Sequence, residues 1–400
     1  MAIFVGVGAS KNTNDSYQGG FEACKSALEK MGGGKPDFTF TFASAVFDHK
    51  ELMRGIHDAS EGAPGIGCSS AGEIMNSDKS EKSVVIMTIK TDQIIFFSGM
   101  GNDVNISARE AGHAVAKEIK EKAIDPVKLY IMLSDILAGS GEDIVAGALD
   151  VLGEHFPVVG GAAGDGFMFE KTYQYRDNEV ASNAAVGVGL SGTFTYGIGV
   201  RHGWMPIGAP MKVTKSKSTE LYELDHKPAI YIYEDYFGIS AETLAKSPLA
   251  RLALTYPLGM KIPEMDEYLI RDPLRVDAQG VITCTANIPE GAEIRLMIGS
   301  KEKAIEAASY ASRDAMKEFE NKKSKPKFVI LFDCAARQKL FGQRAVDELD
   351  AIMDIIGLDV PIIGLYAYGE QAPIGGQLLD IKKTSSRFFN EAVVVLAIGE

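Results

Sequence analysis

Pro361-Ile362-Ile363-Gly364-Leu365-Tyr366-Ala367-Tyr368-Gly369-Glu370 repeats a phrase written earlier as Pro64-Gly65-Ile66-Gly67-Cys68-Ser69-Ser70-Ala71-Gly72-Glu73, with proline, two glycines and closing acid at the same offsets. A third copy, Pro157-Val158-Val159-Gly160-Gly161-Ala162-Ala163-Gly164-Asp165, is one residue shorter and keeps the order. Each reads as a short buried strand that breaks into a glycine turn with a carboxylate at its tip. Glycine lets backbone amides approach one another or a ligand, and strand ends of this kind are where α/β folds bind small molecules. The three phrases predict an α/β fold. It has mixed β-sheets flanked by helices and is built from three internally repeated β/α units in two domains.

Around each phrase the same elements recur. The first copy has helical spacing over 17–31 and 49–60, and strand patterns over 37–43, 83–90 and 93–99. The second has helices over 108–122 and 141–155 and strands over 128–133, 184–190 and 193–200. The third has helices over 303–320 and 343–356 and strands over 327–332 and 392–398. Apolar residues at a 3.6-residue period mark the helices, and alternation marks the strands. Residues 16–100, 108–202 and 303–399 are therefore expected to be variants of one unit. Residues 207–299 lack the phrase and open on a polar stretch, 211–218, that suits a domain junction. The expected domains are 1–220, holding two units, and 221–400, holding the insert and the third.

Composition narrows the function. At 400 residues two domains are the natural expectation, and 46% hydrophobic with 24% charged residues describes a folded chain. A net charge of −13 argues against a nucleic-acid partner, which needs a basic surface. No apolar run approaches the ~20 residues of a bilayer span, and the amino terminus lacks a signal-peptide pattern, so no membrane insertion is expected. Cys24, Cys68, Cys284 and Cys334 show no C-x-x-C spacing, so neither zinc nor a disulfide framework is expected, and a cytoplasmic location follows. Gly187-Val188-Gly189-Leu190-Ser191-Gly192 fits a dinucleotide fingerprint literally, but a strand pattern follows it where a helix is required.

The candidate ligand-binding residues sit at the strand ends. Carboxylates of Glu73, Asp165 and Glu370 brought to one cleft would bind a cation or retain a proton. Arg337, just past a strand, offers a planar clamp for a carboxylate. Glu370 or Glu73 would then hold an ammonium while Arg337 and the glycine turns hold a carboxylate, with Tyr366 and Tyr368 flanking the turn. Ser69 and Ser70 could donate hydrogen bonds to the same ligand. Cys68 and Cys334 lie at comparable mouths and read as small buried thiols, with a nucleophilic cysteine as the alternative.

Gly67-Cys68-Ser69-Ser70-Ala71-Gly72-Glu73-Ile74 resembles the amino-terminal phrase of the FIST family. Cys334-Ala335-Ala336-Arg337 and Gly364-Leu365-Tyr366-Ala367-Tyr368-Gly369-Glu370 are similar to its carboxy-terminal phrases, and Pro206-Ile207-Gly208 looks like its domain junction. At Phe389-Asn390-Glu391-Ala392 the chain departs from the histidine and threonine more usual there. The resemblance spans nearly the whole chain and implies amino- and carboxy-terminal FIST domains with a sensory role in signal transduction. It also implies small ligands such as amino acids and, in one branch, haem that senses nitric oxide. The expectation is a non-enzymatic sensor without cofactor or metal that binds a small polar ligand, an amino acid. It would signal through a separate protein such as a histidine kinase or chemoreceptor. The alternatives are a haem-binding sensor, with His202 the best-placed ligand, and an enzyme with a cysteine nucleophile.

Overall fold

Gly6-Val7-Gly8, Gly99-Met100-Gly101 and Gly197-Ile198-Gly199 each lie on a strand that a helix crosses at backbone contact. A β-carbon would stand 2.2 Å from the Ala23 carbonyl oxygen at Gly8, 2.1 Å from that of Ala111 at Gly101, and 1.8 Å from that of Ala311 at Gly199. Any side chain there would lift the helix off its strand. These strands open the three repeats. The structure is a computed structural model that describes residues 2–246, 249–263, 267–376, 380 and 383–400.

Unit one runs β1 (Ile3–Ser10), α1 (Ser16–Met31), β2 (Phe38–Ser44), α2 (His49–Ala59), β3 (Gly65–Ser70), the hairpin β4 (Glu73–Met75) and β5 (Asp78–Ser80), and β6 (Val84–Thr91). Unit two runs β7 (Ile94–Asn102), α3 (Ala108–Lys122), β8 (Leu129–Ser134), α4 (Gly141–Leu152), β9 (Val158–Ala162), the hairpin β10 (Gln174–Arg176) and β11 (Glu179–Ala181), and β12 (Ala184–Gly192). Unit three opens with β13 (Thr195–Arg201) and is then interrupted. The insert contains β14 (Met205–Lys217), β15 (Glu220–Leu224), β16 (Lys227–Pro228), α5 (Tyr231–Phe237), α6 (Ala241–Lys246) and α7 (Leu249–Ala253). It continues with β17 (Leu258–Lys261), β18 (Tyr268–Arg271), β19 (Pro273–Val276), β20 (Ile282–Cys284) and β21 (Glu293–Ile298). Unit three resumes with α8 (Lys301–Lys322), β22 (Pro326–Cys334), α9 (Ala335–Phe341), α10 (Ala345–Ile356) and β23 (Ile362–Ala367). It closes with the hairpin β24 (Glu370–Pro373) and β25 (Ser386–Phe389), and β26 (Val393–Gly399).

The repeats exchange their hairpins in a ring. The first sheet has the order β1-β6-β2-β3-β10-β11, the second β7-β12-β8-β9-β24-β25, and the third β13-β26-β22-β23-β4-β5. Each unit therefore ends its sheet with the hairpin of another: unit two lends to one, three to two, and one to three. Within each sheet the pair joined by a crossover helix is parallel, β2 with β3, β8 with β9, and β22 with β23, and the other pairings are antiparallel. The inner faces of all three sheets form one apolar core, to which Phe40, Val85, Ile131, Val188, Phe332 and Leu396 contribute. Helices cover each outer face with a separate cluster. The insert is an eight-stranded sheet with a core of its own.

One expectation shifts. The strands at 93–99 and 193–200 do not close copies one and two; β7 pairs with β12 and β13 with β26, so each opens the next unit. Residue 220, where the two domains are expected to part, is the first residue of β15. Gly187–Gly192 lies on β12 and ends in a turn, where Gly192 has φ +107°.

Candidate functional site

The glycine phrases meet one another rather than a solvent cleft. The Ala71 amide donates to the Tyr366 carbonyl and the Tyr366 amide to that of Gly72; the Ala162 amide donates to Gly369, and the Gly164 amide to Ser69. A β-carbon at Gly164 would lie 2.7 Å from the Ala71 nitrogen, which leaves no room for a ligand between these turns. The exchanged hairpins are in matched register: Glu73 faces Leu365, Glu370 faces Gly161, and Gln174 faces Cys68. Leu365, Gly161 and Cys68 hold the same place in the three phrases, so Gln174, not Asp165, is the counterpart of Glu73 and Glu370.

The three predicted acids have separate tasks. Glu73 is fully buried and accepts from the Ser70 hydroxyl at 2.5 Å and the Ser83 hydroxyl at 2.6 Å. Burial pushes its pKa up to about 7 against those hydrogen bonds. Asp165 caps a loop absent from the other units: its carboxylate accepts the amides of Phe169, Glu170 and Lys171 and the Tyr368 hydroxyl. Burial opposes its charge, but these donors outweigh it and hold the carboxyl below the ordinary range. Ser69 is also internal, since its hydroxyl accepts the Tyr173 amide at 2.9 Å. None of Ser69, Ser70, Glu73 or Asp165 is free for a ligand.

Cys334, Arg337 and Glu370 do come together, in a buried cluster at the ends of β22 and β23. Arg337 is fully buried, and its guanidinium donates to the Glu348 carboxylate and to the carbonyls of His202, Ala304 and Glu391. Its Nε also stands 3.1 Å from Asp333. The expected clamp for a ligand carboxylate is thus filled by the protein. Burial disfavours the Arg337 charge, but Glu348 and Asp333 more than compensate and raise its pKa. Burial also raises Asp333, Glu370 and Glu391 well above the carboxylate range, and pushes Asp272 of the insert up to about 7. Tyr366 is buried beside this cluster, close enough for Asp333 and Glu348 to raise its pKa after burial itself. The insert is anchored nearby, where Arg271 reaches Glu142 of α4 at 3.0 Å and the Phe388 carbonyl.

Thiol and haem chemistry find little footing here. All four cysteines are buried; burial pushes Cys24 up to about 12 and likewise raises Cys68, Cys284 and Cys334, which disfavours a thiolate at each. The His202 Nδ1 accepts the Trp204 amide at 2.9 Å. Burial, then Arg337 and Arg201, lower its pKa to about 3. A guanidinium beside the imidazole is a poor neighbour for a ferric iron, so these residues do not fit haem. Among the described residues no group of three or more His, Cys, Asp or Glu is placed to hold a metal ion. No described helix is long and apolar enough to cross a membrane.

An open site lies elsewhere, where hairpin β10–β11 of unit two sits against helix α2 of unit one. It is a cleft of about 380 Å³ lined by Phe47, His49, Lys50, Lys171, Tyr173 and Val180. Asp48, also on its wall, caps α2; its Oδ1 accepts the amides of Lys50 at 3.0 Å and Glu51 at 3.2 Å. His49 is 4% exposed, its Nδ1 lies 2.7 Å from the Tyr175 hydroxyl, and its Nε2 has no hydrogen-bond partner. Burial lowers its pKa to about 4, so it is neutral at physiological pH. The Tyr173 ring lies 4.0 Å from the His49 ring, and the Lys171 ammonium stands 5.0 Å above Tyr173.

The two equivalent seats are closed. Register places Phe388 of β25 and Lys79 of β5 where Val180 stands on β11. Phe388 is fully buried against the start of α4, where a β-carbon on Gly141 would lie 2.6 Å from its ring. Lys79 reaches across to donate to the Gly342 carbonyl at 3.1 Å, which bridges the third seat. Sequence reading missed the open seat because its walls come from residues 47–50 and 171–182. The small Val180 opposite Phe388 is the one signal that could have found it, once the hairpins were aligned.

Comparison with known proteins agrees with the sequence reading. A family model described as the FIST N domain matches residues 37–227, and one described as the FIST C domain matches residues 229–373. An uncharacterized protein of Mycobacterium tuberculosis is 24% identical over 385 residues, covering 93% of this chain and 95% of its own length. An uncharacterized protein of Methanocaldococcus jannaschii is 27% identical over 297 residues, covering 69% of this chain and 55% of its own. Among solved structures, a cyanuric acid hydrolase from A. caulinodans overlays 48% of this chain and 71% of its own at 8% identity, with a TM-score of 0.29.

Proposed function

The chain belongs to the FIST family, whose domains serve sensory signal transduction, and from that premise we propose that it senses a small polar metabolite, an amino acid, bound in the cleft between α2 and the exchanged hairpin β10–β11. The observation that carries this reading is the contrast among three equivalent seats: two are filled by the protein's own side chains, and the third is open. Its volume lies near the lower end of the ~300–1,000 Å³ range of ligand pockets, which suits a small metabolite. Lysines and a carboxylate on one wall suit a zwitterion, and Phe47 and Val180 supply apolar surface. The reading is non-enzymatic because the buried, protonated thiols offer no nucleophile. The wall of the cleft belongs to one unit and its floor to another, so occupancy would tighten their junction and alter the surface presented to a separate partner such as a histidine kinase or chemoreceptor.

Thermal-shift measurements against a panel of amino acids test this. A ligand at 100 times its dissociation constant adds about 2.7 kcal/mol of stability. The wild type should be stabilised by at least one amino acid. Val180→Phe, which copies the closed seat of unit two, should lose that response while keeping a cooperative melt. A response preserved in Val180→Phe, or absent from the wild type, would overturn the assignment of the cleft.

A further inference from the structure

The charges around the cleft go further than its size. Lys50 and Lys171 face it with Asp48, and His49 adds no charge near neutrality, so the wall carries two cations and one anion. Lys171 is held in place from behind: its amide donates to the Asp165 carboxylate at 3.0 Å, and its side chain lies over the Tyr173 ring. Asp48 spends Oδ1 on the helix cap, which leaves Oδ2 for an ammonium. A phosphate-like dianion would find the first amides of α2 already taken by Asp48 and a negative charge beside it. A ligand with one cation and two anions matches the wall group for group.

We propose that the cleft selects an acidic amino acid, whose ammonium meets Asp48 and whose two carboxylates meet Lys50 and Lys171, with its methylenes against Phe47 and Val180. This rests on the cleft being the ligand site. Neutral amino acids leave one lysine without a partner, and a dicarboxylate without an amine leaves Asp48 repelled.

Calorimetry on the full chain, with L-glutamate, L-aspartate, L-glutamine, L-leucine, glutarate and inorganic phosphate as probes, separates the two claims. Glutamate or aspartate should bind about two- to fivefold more tightly than glutamine, leucine or glutarate, since Asp48, Lys50 and Lys171 are exposed and each exposed ion pair adds only modestly to affinity. Asp48→Asn keeps a good helix cap and should erase the preference over glutarate. Lys171→Met should erase the preference over glutamine, with the melting temperature of each variant used to confirm folding. Glutamine or leucine binding as tightly as glutamate, or phosphate binding more tightly than either acid, would overturn the selectivity while leaving the cleft as a ligand site. If no amino acid binds the wild type, both claims fall.

Discussion

Unit one and unit three place the same three parts together, a strand end, a helix start and a borrowed hairpin, and reach opposite results. In unit one the seat holds a neutral His49, a small Val180 and an open cleft of about 380 Å³. In unit three Lys79 bridges it to the Gly342 carbonyl, and the strand end carries the buried, paired Asp333, Arg337 and Glu348. A buried guanidinium is tolerated when every donor is filled, and Arg337 fills them from four segments of chain. One seat has been turned into a joint and the other kept as a socket. Cys334-Ala335-Ala336-Arg337, which is similar to a carboxy-terminal phrase of the family, marks the joint.

Removing the joint should have the largest effect. Arg337→Ala leaves the carboxyls of Asp333 and Glu348 without their cation, at a cost of about 3–5 kcal/mol. Urea unfolding should show that loss, with ligand binding in the unit-one cleft retained below the transition. Unchanged stability with lost binding would reverse the roles of the two seats.

Opening the second seat is the next test. Phe388→Ala deletes the ring that fills unit two's counterpart of the cleft, at a cost of about 3 kcal/mol or more. The loss should appear in the melting temperature without any change in affinity at unit one. A loss under about 1 kcal/mol would show that Phe388 does not fill the seat.

A smaller effect should follow from the hairpin acids. Glu73 and Glu370 are buried where the hairpin borrowed by unit one carries the neutral Gln174. With its pKa raised from 4.5 to about 7, Glu73 binds its proton more tightly folded than unfolded. Its contribution is fully present below about pH 4.5 and is lost as pH rises through about 7. Glu73→Gln should flatten the stability profile across that window by ~1–3 kcal/mol, measured by denaturant unfolding at several pH values. Parallel profiles for mutant and wild type would mean that Glu73 is ionised in the fold.

Much of this architecture was legible in the chain. The phrases at Pro64, Pro157 and Pro361 mark equivalent strands because a buried strand and a glycine turn leave a local signature. Helices with an apolar stripe, such as α3 and α8, were equally visible. The repeat boundary was misread because β6 and β7, or β12 and β13, follow one another as hairpin-like strands, although β6 pairs with β1 and β12 with β7. The glycine–apolar–glycine pattern at Gly6, Gly99 and Gly197 carries the correct register, since each marks where a helix lies on the first strand of a unit.

The sequence by itself determined the local alphabet: which segments are strands, which helices cover them, where the turns fall, and that the scaffold repeats three times. Periodicity and glycine placement act over a few residues, so a reader of the chain recovers them. The tertiary structure alone decided which sheet receives each hairpin. Strands of three or four residues have too little pattern to name a partner, and β4 finds its partner at β23, nearly three hundred residues away. That exchange sets Val180 against α2 and Phe388 against α4, and so leaves one seat open while the others fill. Arg337 shows the same division: its type and place were plain, but whether its donors would face a ligand or the protein depended on Glu348, His202 and Ala304 arriving from elsewhere in the fold.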